Sequence, residues 1–305
     1  MRSVKRLLFS MLLSIGCVVP MLASVQDYSV LKSRLEKLSS GMDARVGIAV
    51  IVDGKDTICV NNNYQYPMMS VYKFHQAVAV AYILEKREIS LDSMIFVKKE
   101  DLRPDTYSPF RDKYPDGNAL FSIKDLLTYT LQLSDNNACD ILFDRVLDVT
   151  ETDAVLRELG MSQFNISATE LEMQRDKSKC HENWSTPLST VKLIDDFVAG
   201  RIVKGAYYDF ILRTMLTCTT GEHRLPALLP KSVVGIGHKT GTSGLDKSGK
   251  FIGVNDVGFV LLPFGSRYSI AVYITDSHEN LDTNEKIIAD ISSELYSFLE
   301  KSHKQ

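Results

Sequence analysis

The residues most able to do chemistry are a serine and a lysine near the start of a segment with helical character. Ser70 and Lys73 are so spaced that, in a helix beginning at Ser70, they lie one turn apart on the same face. A serine hydroxyl becomes an effective nucleophile when a nearby base takes its proton. A lysine can be that base when burial or a neighbouring charge lowers its pKa. An ordinary helix start, with Ser70 as N-cap and Lys73 in water, has the same spacing, so the pair needs support from the rest of the chain.

Two later motifs add hydroxyl, amide and amine groups. The first is Ser134-Asp135-Asn136-Asn137, which alone is typical of a polar turn. The second is the run 238–244, His-Lys-Thr-Gly-Thr-Ser-Gly, at the end of a predicted strand, where Lys239 alone would be a solvated side chain. In the order Ser-x-x-Lys, Ser-Asp-Asn, Lys-Thr-Gly, the three motifs together indicate a serine enzyme that works through an acyl intermediate.

With these motifs in place, and with the stretches 66–76 and 134–140 around them, the sequence resembles the class A serine β-lactamases. The resemblance extends over nearly the whole mature chain and is closest to the cephalosporinase branch of Bacteroides and its relatives. It implies hydrolysis of β-lactam antibiotics through an acyl-enzyme on Ser70, without a metal or other cofactor. We expect small-molecule β-lactams as partners, no nucleic acid, and a monomer, although the sequence does not fix the oligomeric state.

The resemblance assigns roles to the motif residues. Ser70 is the nucleophile, and its proton leaves through Lys73 or through Glu170 and a water; the sequence leaves both routes open. Ser134 passes a proton to the lactam nitrogen. The side chains and backbone expected to bind substrate belong to Tyr107, Asn136, Gln174, Arg224, Lys239, Thr240, Gly241, Thr242 and Ser243.

The segment around the implied general base departs from the family pattern. Glu170 matches the loop glutamate that activates the deacylating water, and Glu172 is the rival carboxylate. Gln174 stands where the family usually has asparagine, and Ala168 stands where many members have an arginine that pins the loop with a salt bridge. We therefore expect this loop to be held in another way, which the sequence does not define.

Two of the expected binding residues also have simpler explanations. Tyr107 matches the aromatic residue that borders the family's cleft, but a half-buried tyrosine in a turn would look the same. Arg224 matches a place where some members carry an arginine that supports recognition of the substrate carboxylate, but it could equally be a surface arginine.

Hydrophobic periodicity predicts elements that would hold these motifs in an α/β (α+β) fold. Predicted helices cover 28–39, 70–85, 123–133, 186–198 and 285–299, and predicted strands cover 46–52, 57–60, 234–238, 254–262 and 268–275. Asp53-Gly54 predicts a hairpin between the first two strands. We expect an antiparallel sheet from both chain ends, flanked by the terminal helices, in a lobe of about 25–67 and 216–305. A mostly helical lobe would span about 68–215, with the active site in the cleft between them.

The N-terminus has the pattern of a secretory signal peptide. Basic residues within 1–6 precede an apolar stretch at 7–19, and small residues follow at Ala23 and Ser24. We predict a signal peptide at 1–24, a single catalytic domain at 25–305 and a periplasmic location. Lipid attachment at Cys17 is the alternative. No later run is apolar for long enough to suggest a membrane-spanning helix.

The remaining features mainly exclude other functions. A net charge of -3 offers no basic excess for nucleic acid. The run 244–250 has P-loop spacing, but Phe251 follows where such a loop needs serine or threonine. The histidines form no zinc motif, and the cysteines after the signal peptide predict free thiols. A D-alanyl-D-alanine peptidase and a non-hydrolytic β-lactam sensor remain as alternatives, because both share the nucleophile and the lysine.

Overall fold

The computed structural model describes residues 27–304, so the predicted signal peptide and Cys17 lie outside the described residues. The strands are β1 (Arg45–Val52), β2 (Asp56–Val60), β3 (Tyr66–Pro67), β4 (Met94–Val97), β5 (Ala119–Ser122), β6 (Phe164–Asn165), β7 (Trp184–Ser185), β8 (Gly235–Thr242), β9 (Val254–Leu261) and β10 (Arg267–Thr275). The helices are α1 (Ser29–Ser40), α2 (Tyr72–Lys86), α3 (Pro109–Lys113), α4 (Ile123–Gln132), α5 (Asn136–Arg145), α6 (Val149–Glu158), α7 (Glu170–Arg175), α8 (Pro187–Val198), α9 (Gly205–Leu216) and α10 (Leu281–His303). Short 3-10 turns cover Met69–Val71, Lys99–Asp101 and Lys177–His181.

A five-stranded antiparallel sheet, in the order β2-β1-β10-β9-β8, joins the two ends of the chain. The hairpin predicted between β1 and β2 is present, and Asp53 and Gly54 both have the positive φ that a tight hairpin turn requires. Both faces of the sheet are covered, so β1 is apolar along almost its whole length instead of alternating with polar residues.

One face of the sheet packs against the two terminal helices. Leu31 and Leu35 of α1 and Ile291 and Leu295 of α10 are fully buried in one hydrophobic cluster with residues of β1, β9 and β10. A second cluster lies on the opposite face, where α8 and α2 connect the sheet to the other helices. The prediction of an antiparallel sheet flanked by terminal helices is therefore confirmed.

Helix α2 is the central scaffold of the active site. Nearly all of its residues are buried, and small alanines at Ala77, Ala79 and Ala81 let neighbouring elements approach it closely. A helix that is apolar on all sides belongs in the interior of a protein. Its first turn carries Lys73, whose side chain is fully buried. The lysine therefore projects from a helix that lies in the interior of the protein.

Three sequence predictions need correction. The predicted strand 234–238 continues to Thr242, because Lys239–Thr242 pair with Val254–Val257 of β9, so the Lys-Thr-Gly motif lies within a strand and not at its end. The helix predicted from position 70 begins at Tyr72, and Ser70 lies in the preceding 3-10 turn. The middle block, predicted as helix and loop, also contains the short paired strands β4 to β7. Two-residue strands such as β6 carry no readable periodicity.

Candidate active site

Lys73 is the centre of the site, and its amine contacts residues from three parts of the chain. The Nζ atom lies 3.2 Å from Ser70 Oγ, 2.8 Å from the carbonyl oxygen of Ser134 and 2.6 Å from Asn136 Oδ1. It also lies 3.0 Å from Glu170 Oε1. The Ser-x-x-Lys spacing therefore does place the serine hydroxyl and the lysine amine within hydrogen-bonding reach, and Lys73 is not solvated.

Of the two candidate carboxylates, Glu170 is the one that contacts Lys73. Glu170 Oε1 is buried and accepts no hydrogen bond from the described residues, although it is close to the lysine amine. Glu172 instead accepts hydrogen bonds from the backbone N–H and hydroxyl of Thr169, at 2.9 and 3.1 Å, as part of a capping box at the start of α7. The Thr169 N–H lowers the pKa of Glu172. Its carboxylate is thus occupied in holding the helix.

Asp140 of α5 holds the loop that carries Glu170. Its carboxylate accepts hydrogen bonds from the backbone N–H groups of Glu170 and Leu171, each at 2.9 Å. These N–H groups lie in the first turn of α7, where backbone N–H groups have no acceptor within the helix. The helix dipole also favours a negative charge at this end. Arg103 pairs with the same carboxylate. We expected this loop to be held without an arginine at position 168. The structure shows that the carboxylate of Asp140, on helix α5, holds it.

Asn183 holds the preceding part of the same loop. Its Oδ1 accepts the backbone N–H groups of Ser167 and Ala168 at 2.9 Å each, and its Nδ2 donates to the Ala168 carbonyl at 2.7 Å. Ala168 itself is fully buried. Two side chains therefore hold the loop by hydrogen bonds. One is the neutral amide of Asn183 and the other is the carboxylate of Asp140.

Burial and the proximity of Glu170 raise the pKa of Asp140 to about 6, with Arg103 acting in the opposite direction. Glu170 disfavours the ionised form of Asp140, whereas Arg103 and the backbone N–H groups of Glu170 and Leu171 favour it. The pairing with Arg103 and the hydrogen bonds to α7 therefore offset part of the cost of burying this carboxylate beside a second one.

The Ser-Asp-Asn and Lys-Thr-Gly motifs meet through Lys239 and Ser134. Lys239 Nζ donates to Ser134 Oγ at 2.9 Å and to the carbonyl oxygen of Thr240 at 2.8 Å. Ser134 has a φ of 59°, a left-handed conformation that is uncommon for a serine and directs its hydroxyl toward the lysine. Complete burial, followed by the nearby charge of Lys73, lowers the pKa of Lys239 to about 7.

The strand β8 approaches the backbone at Ser70 very closely at Gly241. A Cβ atom added there would lie 2.5 Å from the Met68 carbonyl oxygen and 3.1 Å from the Ser70 nitrogen, so only glycine fits. Met69 has a φ of 48°, and Asn255 Nδ2 donates to the carbonyls of Pro67 and Met68 at 2.9 and 3.0 Å. The backbone at Ser70 is therefore held in an unusual conformation beside the strand.

Arg224 is buried behind the end of β8 and is not a surface arginine. Its guanidinium donates to Thr242 Oγ1 at 2.7 Å and to the Asn255 carbonyl at 2.8 Å, and it pairs with Glu285 at 3.1 Å. It reaches the site through Thr242. Thr240 Oγ1 lies 3.0 Å from Thr220 Oγ1, which fixes the neighbouring hydroxyl.

Asn136, Gln174 and Tyr107 complete the sequence-predicted set. Asn136 donates from Nδ2 to Thr106 Oγ1 at 2.8 Å, so its amide oxygen faces Lys73. Gln174 Nε2 donates to the carbonyl oxygen of Asp105, which ties α7 to the opposite rim. Tyr107 is 58% exposed at the entrance and is therefore not half-buried in a turn.

A cavity of about 280 Å³ opens at Ser70, between α7 and the end of β8. Its walls include seven of the predicted residues: Ser70, Tyr107, Asn136, Glu170, Gln174, Thr242 and Ser243. Sequence analysis did not identify Asp140, Arg103, Thr106 or Asn183 as contributors. Asp140 follows Asn136 by one helical turn, and that spacing was the available signal, since the two side chains lie on the same face of α5.

The chemical elements of acyl transfer are thus present in one place: a serine hydroxyl, a buried amine, a carboxylate beside that amine, and a second buried amine on a second hydroxyl. Across residues 27–304 no group of side chains is arranged to hold a metal ion, and Cys59, Cys139, Cys180 and Cys218 are free thiols. In the same part of the chain, no helix is both long and apolar enough to cross a membrane. The fold and this site define a serine acyl hydrolase.

Comparisons with known proteins specify the family. The model of the β-lactamase enzyme family matches residues 30–299. A β-lactamase from Bacteroides uniformis is 36% identical over 293 residues, covering 94% of this chain and 97% of the relative. The crystal structure of the TLA-1 extended-spectrum β-lactamase has a TM-score of 0.87 and 43% identity, covering 90% of this chain and 99% of that chain. A class A β-lactamase from Bacteroides cellulosilyticus has a TM-score of 0.85 and 38% identity, covering 89% and 97%. The chain belongs to the β-lactamase enzyme family, as a serine hydrolase of class A.

Proposed function

We propose that this protein hydrolyses β-lactam antibiotics, with cephalosporins preferred, through an acyl-enzyme on Ser70 that is cleared by water activated by Glu170. The observation that carries the proposal is the position of Lys73 Nζ, 3.2 Å from Ser70 Oγ and 3.0 Å from Glu170 Oε1. One buried amine thereby connects the nucleophile of the first step with the base of the second. The preference for cephalosporins rests on resemblance to the Bacteroides branch.

Substrate binding would begin with the carboxylate of the antibiotic nucleus. Lys239 supplies positive charge, while Thr240 and Thr242 supply hydroxyl donors at the end of β8, and a carboxylate forms its strongest hydrogen bonds with such groups. Arg224 contributes by fixing the Thr242 hydroxyl from behind. Ser243 and Gly241 shape the same strand, and the Asn136 amide holds the acylamino group.

Acylation would convert the lactam amide bond into an ester on Ser70. Ser70 Oγ attacks the carbonyl carbon, and its proton passes to Lys73, or to Glu170 through a water. The N–H groups of Ser70 and Thr242 stabilise the developing oxyanion, a contribution that is worth about 10²–10³ in rate per donor. The close approach of Gly241 to Ser70 supports this arrangement. The C–N bond then breaks, and Ser134 delivers a proton to the leaving nitrogen.

Deacylation would use Glu170 as the general base. Its Oε1 is buried without an accepted hydrogen bond among the described residues, which leaves a lone pair to accept a hydrogen of the attacking water. Glu170 takes a proton from the water as the water oxygen attacks the ester carbonyl carbon. The bond between that carbon and Ser70 Oγ then breaks, and the proton held by Glu170 passes to Ser70 Oγ. Anchoring of Glu170 by Asp140 fixes the position of this base.

We further propose that the chain is exported through its signal peptide, acts in the periplasm as a monomer and so confers resistance to β-lactams. The basic start, the apolar stretch at 7–19 and the small residues after it support export.

Steady-state hydrolysis of a chromogenic cephalosporin by the purified mature protein tests the proposal, with Ser70→Ala measured beside it. We expect continuous turnover by the wild type and none by Ser70→Ala. A single stoichiometric burst from the wild type, with no turnover after it, would instead identify a peptidase or a non-hydrolytic sensor, in which the carboxylate beside Lys73 does not support deacylation.

A further inference from the structure

We propose that Lys177 makes the protein selective for β-lactams whose acyl side chain ends in a carboxylate. The inference rests on the proposed function, since it concerns which substrates the same site prefers. It is carried by the shape of the cavity beside Ser70 and by the charges on its two rims.

The cavity is placed to receive the acyl side chain. In a bicyclic β-lactam the nucleus carboxylate and the acylamino group lie at opposite ends, so a carboxylate near Lys239 and Thr242 directs the acyl group away from them. The 280 Å³ cavity begins at Asn136 and Ser70 and continues between α7 and the end of β8. It is therefore the space that this group enters.

The floor of the cavity is apolar. Met173, Cys180 and Ile252 line it and are all buried. Burial raises the pKa of the Cys180 thiol, so this residue contributes an uncharged, apolar surface. Such a floor favours a flat or apolar group and gives no means of discriminating charge. Charge selection must come from the entrance.

Lys177 is the one cation among the described residues that line the cavity. It is exposed at the start of the 3-10 turn Lys177–His181 and forms no ion pair within residues 27–304. The adjacent Asp176 forms no ion pair with it, and its Oδ1 accepts hydrogen bonds from the Ser178 nitrogen at 2.9 Å and from the Ser178 hydroxyl at 2.7 Å. The lysine charge is therefore available to a ligand.

Asp105 gives the opposite rim the opposite charge. It lines the cavity and is exposed, and its backbone carbonyl, not its carboxylate, accepts the hydrogen bond from Gln174. The third charged group, Glu170, lies at the bottom and is paired with Lys73. An anionic acyl group should thus be attracted by Lys177 and repelled by Asp105. Removal of the Lys177 charge should lower the preference for an anionic substrate, and removal of the Asp105 charge should raise it.

The expected effects are moderate because the entrance is solvated. A unit charge about 6 Å from a substrate carboxylate, in surroundings close to water in dielectric constant, changes kcat/KM by about 3- to 10-fold. Ionic strength screens an interaction of this kind, so the effect should shrink in high salt.

The test compares two cephalosporins with the same nucleus and the same oxyimino acyl group, one ending in a carboxylic acid and the other in the primary amide. We measure the ratio of kcat/KM, acid over amide, for the wild type, Lys177→Gln and Asp105→Asn. Lys179→Gln is the matched control, since this nearby lysine is paired with Glu182 and does not line the cavity.

We expect the ratio to fall about 3- to 10-fold in Lys177→Gln, to rise in Asp105→Asn and to stay at the wild-type value in Lys179→Gln. An unchanged ratio in Lys177→Gln, or equal losses for both substrates, would overturn the proposal while leaving the hydrolase function intact. A wild type that turns over the chromogenic cephalosporin but neither of these two substrates would also overturn the selectivity, whereas a wild type that turns over none of the three would overturn the proposed function itself.

Discussion

Replacing Asp140 with asparagine should weaken the protein and slow deacylation, because this carboxylate anchors the loop that carries Glu170, the proposed general base. The native carboxylate accepts the N–H groups of Glu170 and Leu171 at 2.9 Å each and pairs with Arg103. An asparagine amide has one oxygen and one NH2 group. It can accept one of the two hydrogen bonds, but it presents a donor to the other N–H and leaves the guanidinium without its charge partner.

The expected magnitude follows from these contacts. A hydrogen bond to a charged group contributes about 1.5–3 kcal/mol, and a buried donor left unpaired carries a further cost. Burial and, after it, repulsion by Glu170 raise the pKa of Asp140 to about 6, and relief of both in the neutral asparagine offsets part of this loss. We expect the free energy of unfolding to fall by about 1–2 kcal/mol, which corresponds to a decrease in Tm of roughly 2–8 °C.

Catalysis should suffer more than stability. A small displacement of a positioned group costs about 10²-fold in rate, so kcat should fall by about 10- to 100-fold while a stoichiometric burst of acylation remains. Thermal unfolding and stopped-flow hydrolysis of a chromogenic cephalosporin measure the two effects. Asp144→Asn is the matched control, an exposed carboxylate one turn further along α5. The reasoning is refuted if Asp140→Asn keeps both the Tm and the kcat of that control.

Three further predictions concern the strand β8 and its support. Lys239 should be charged below its pKa of about 7 and neutral above it. The value of kcat/KM should therefore fall as the pH rises through about 7. In a pH profile of Lys239→Arg, this fall should move to higher pH. Arg224→Ala should remove the hydrogen bond to Thr242 and leave Glu285 unpaired. Steady-state kinetics should then show a higher KM, and urea unfolding should show a free energy of unfolding lower by about 2–4 kcal/mol. Gly241→Ala should force β8 away from the Ser70 backbone, because the added Cβ would lie 2.5 Å from the Met68 carbonyl oxygen. The value of kcat/KM should therefore fall by about 10²-fold. Wild-type kinetics in that variant would contradict the close approach.

The parts of the site that could be predicted from the sequence are those set by local spacing. Ser70 and Lys73 are one turn apart, and the hydrophobic periodicity of the following residues fixes that turn in a buried helix. Likewise, the apolar runs of β1, β9 and β10 are long enough to predict strands from a single sequence. Family resemblance then supplied the register that joined the three motifs.

The parts that could not be predicted depend on contacts between distant segments. Nothing in the residues around Ala168 indicates that Asp140 and Asn183 hold the loop, because the hydrogen bonds connect groups far apart in the chain. The length of β8 was missed for a similar reason. Its second half is polar and glycine-containing, and it becomes a strand because β9 pairs with it.

The most direct test of the central claim is the lifetime of the acyl-enzyme in Glu170→Gln, followed by mass spectrometry after mixing with a cephalosporin. Glu172→Gln is the matched control, since its carboxylate caps α7 and does not contact Lys73. Because a general base contributes about 10²–10⁴ in rate, the account predicts an acyl-enzyme that persists in Glu170→Gln and clears rapidly in Glu172→Gln and the wild type. Rapid clearance by Glu170→Gln, with accumulation in Glu172→Gln, would contradict it.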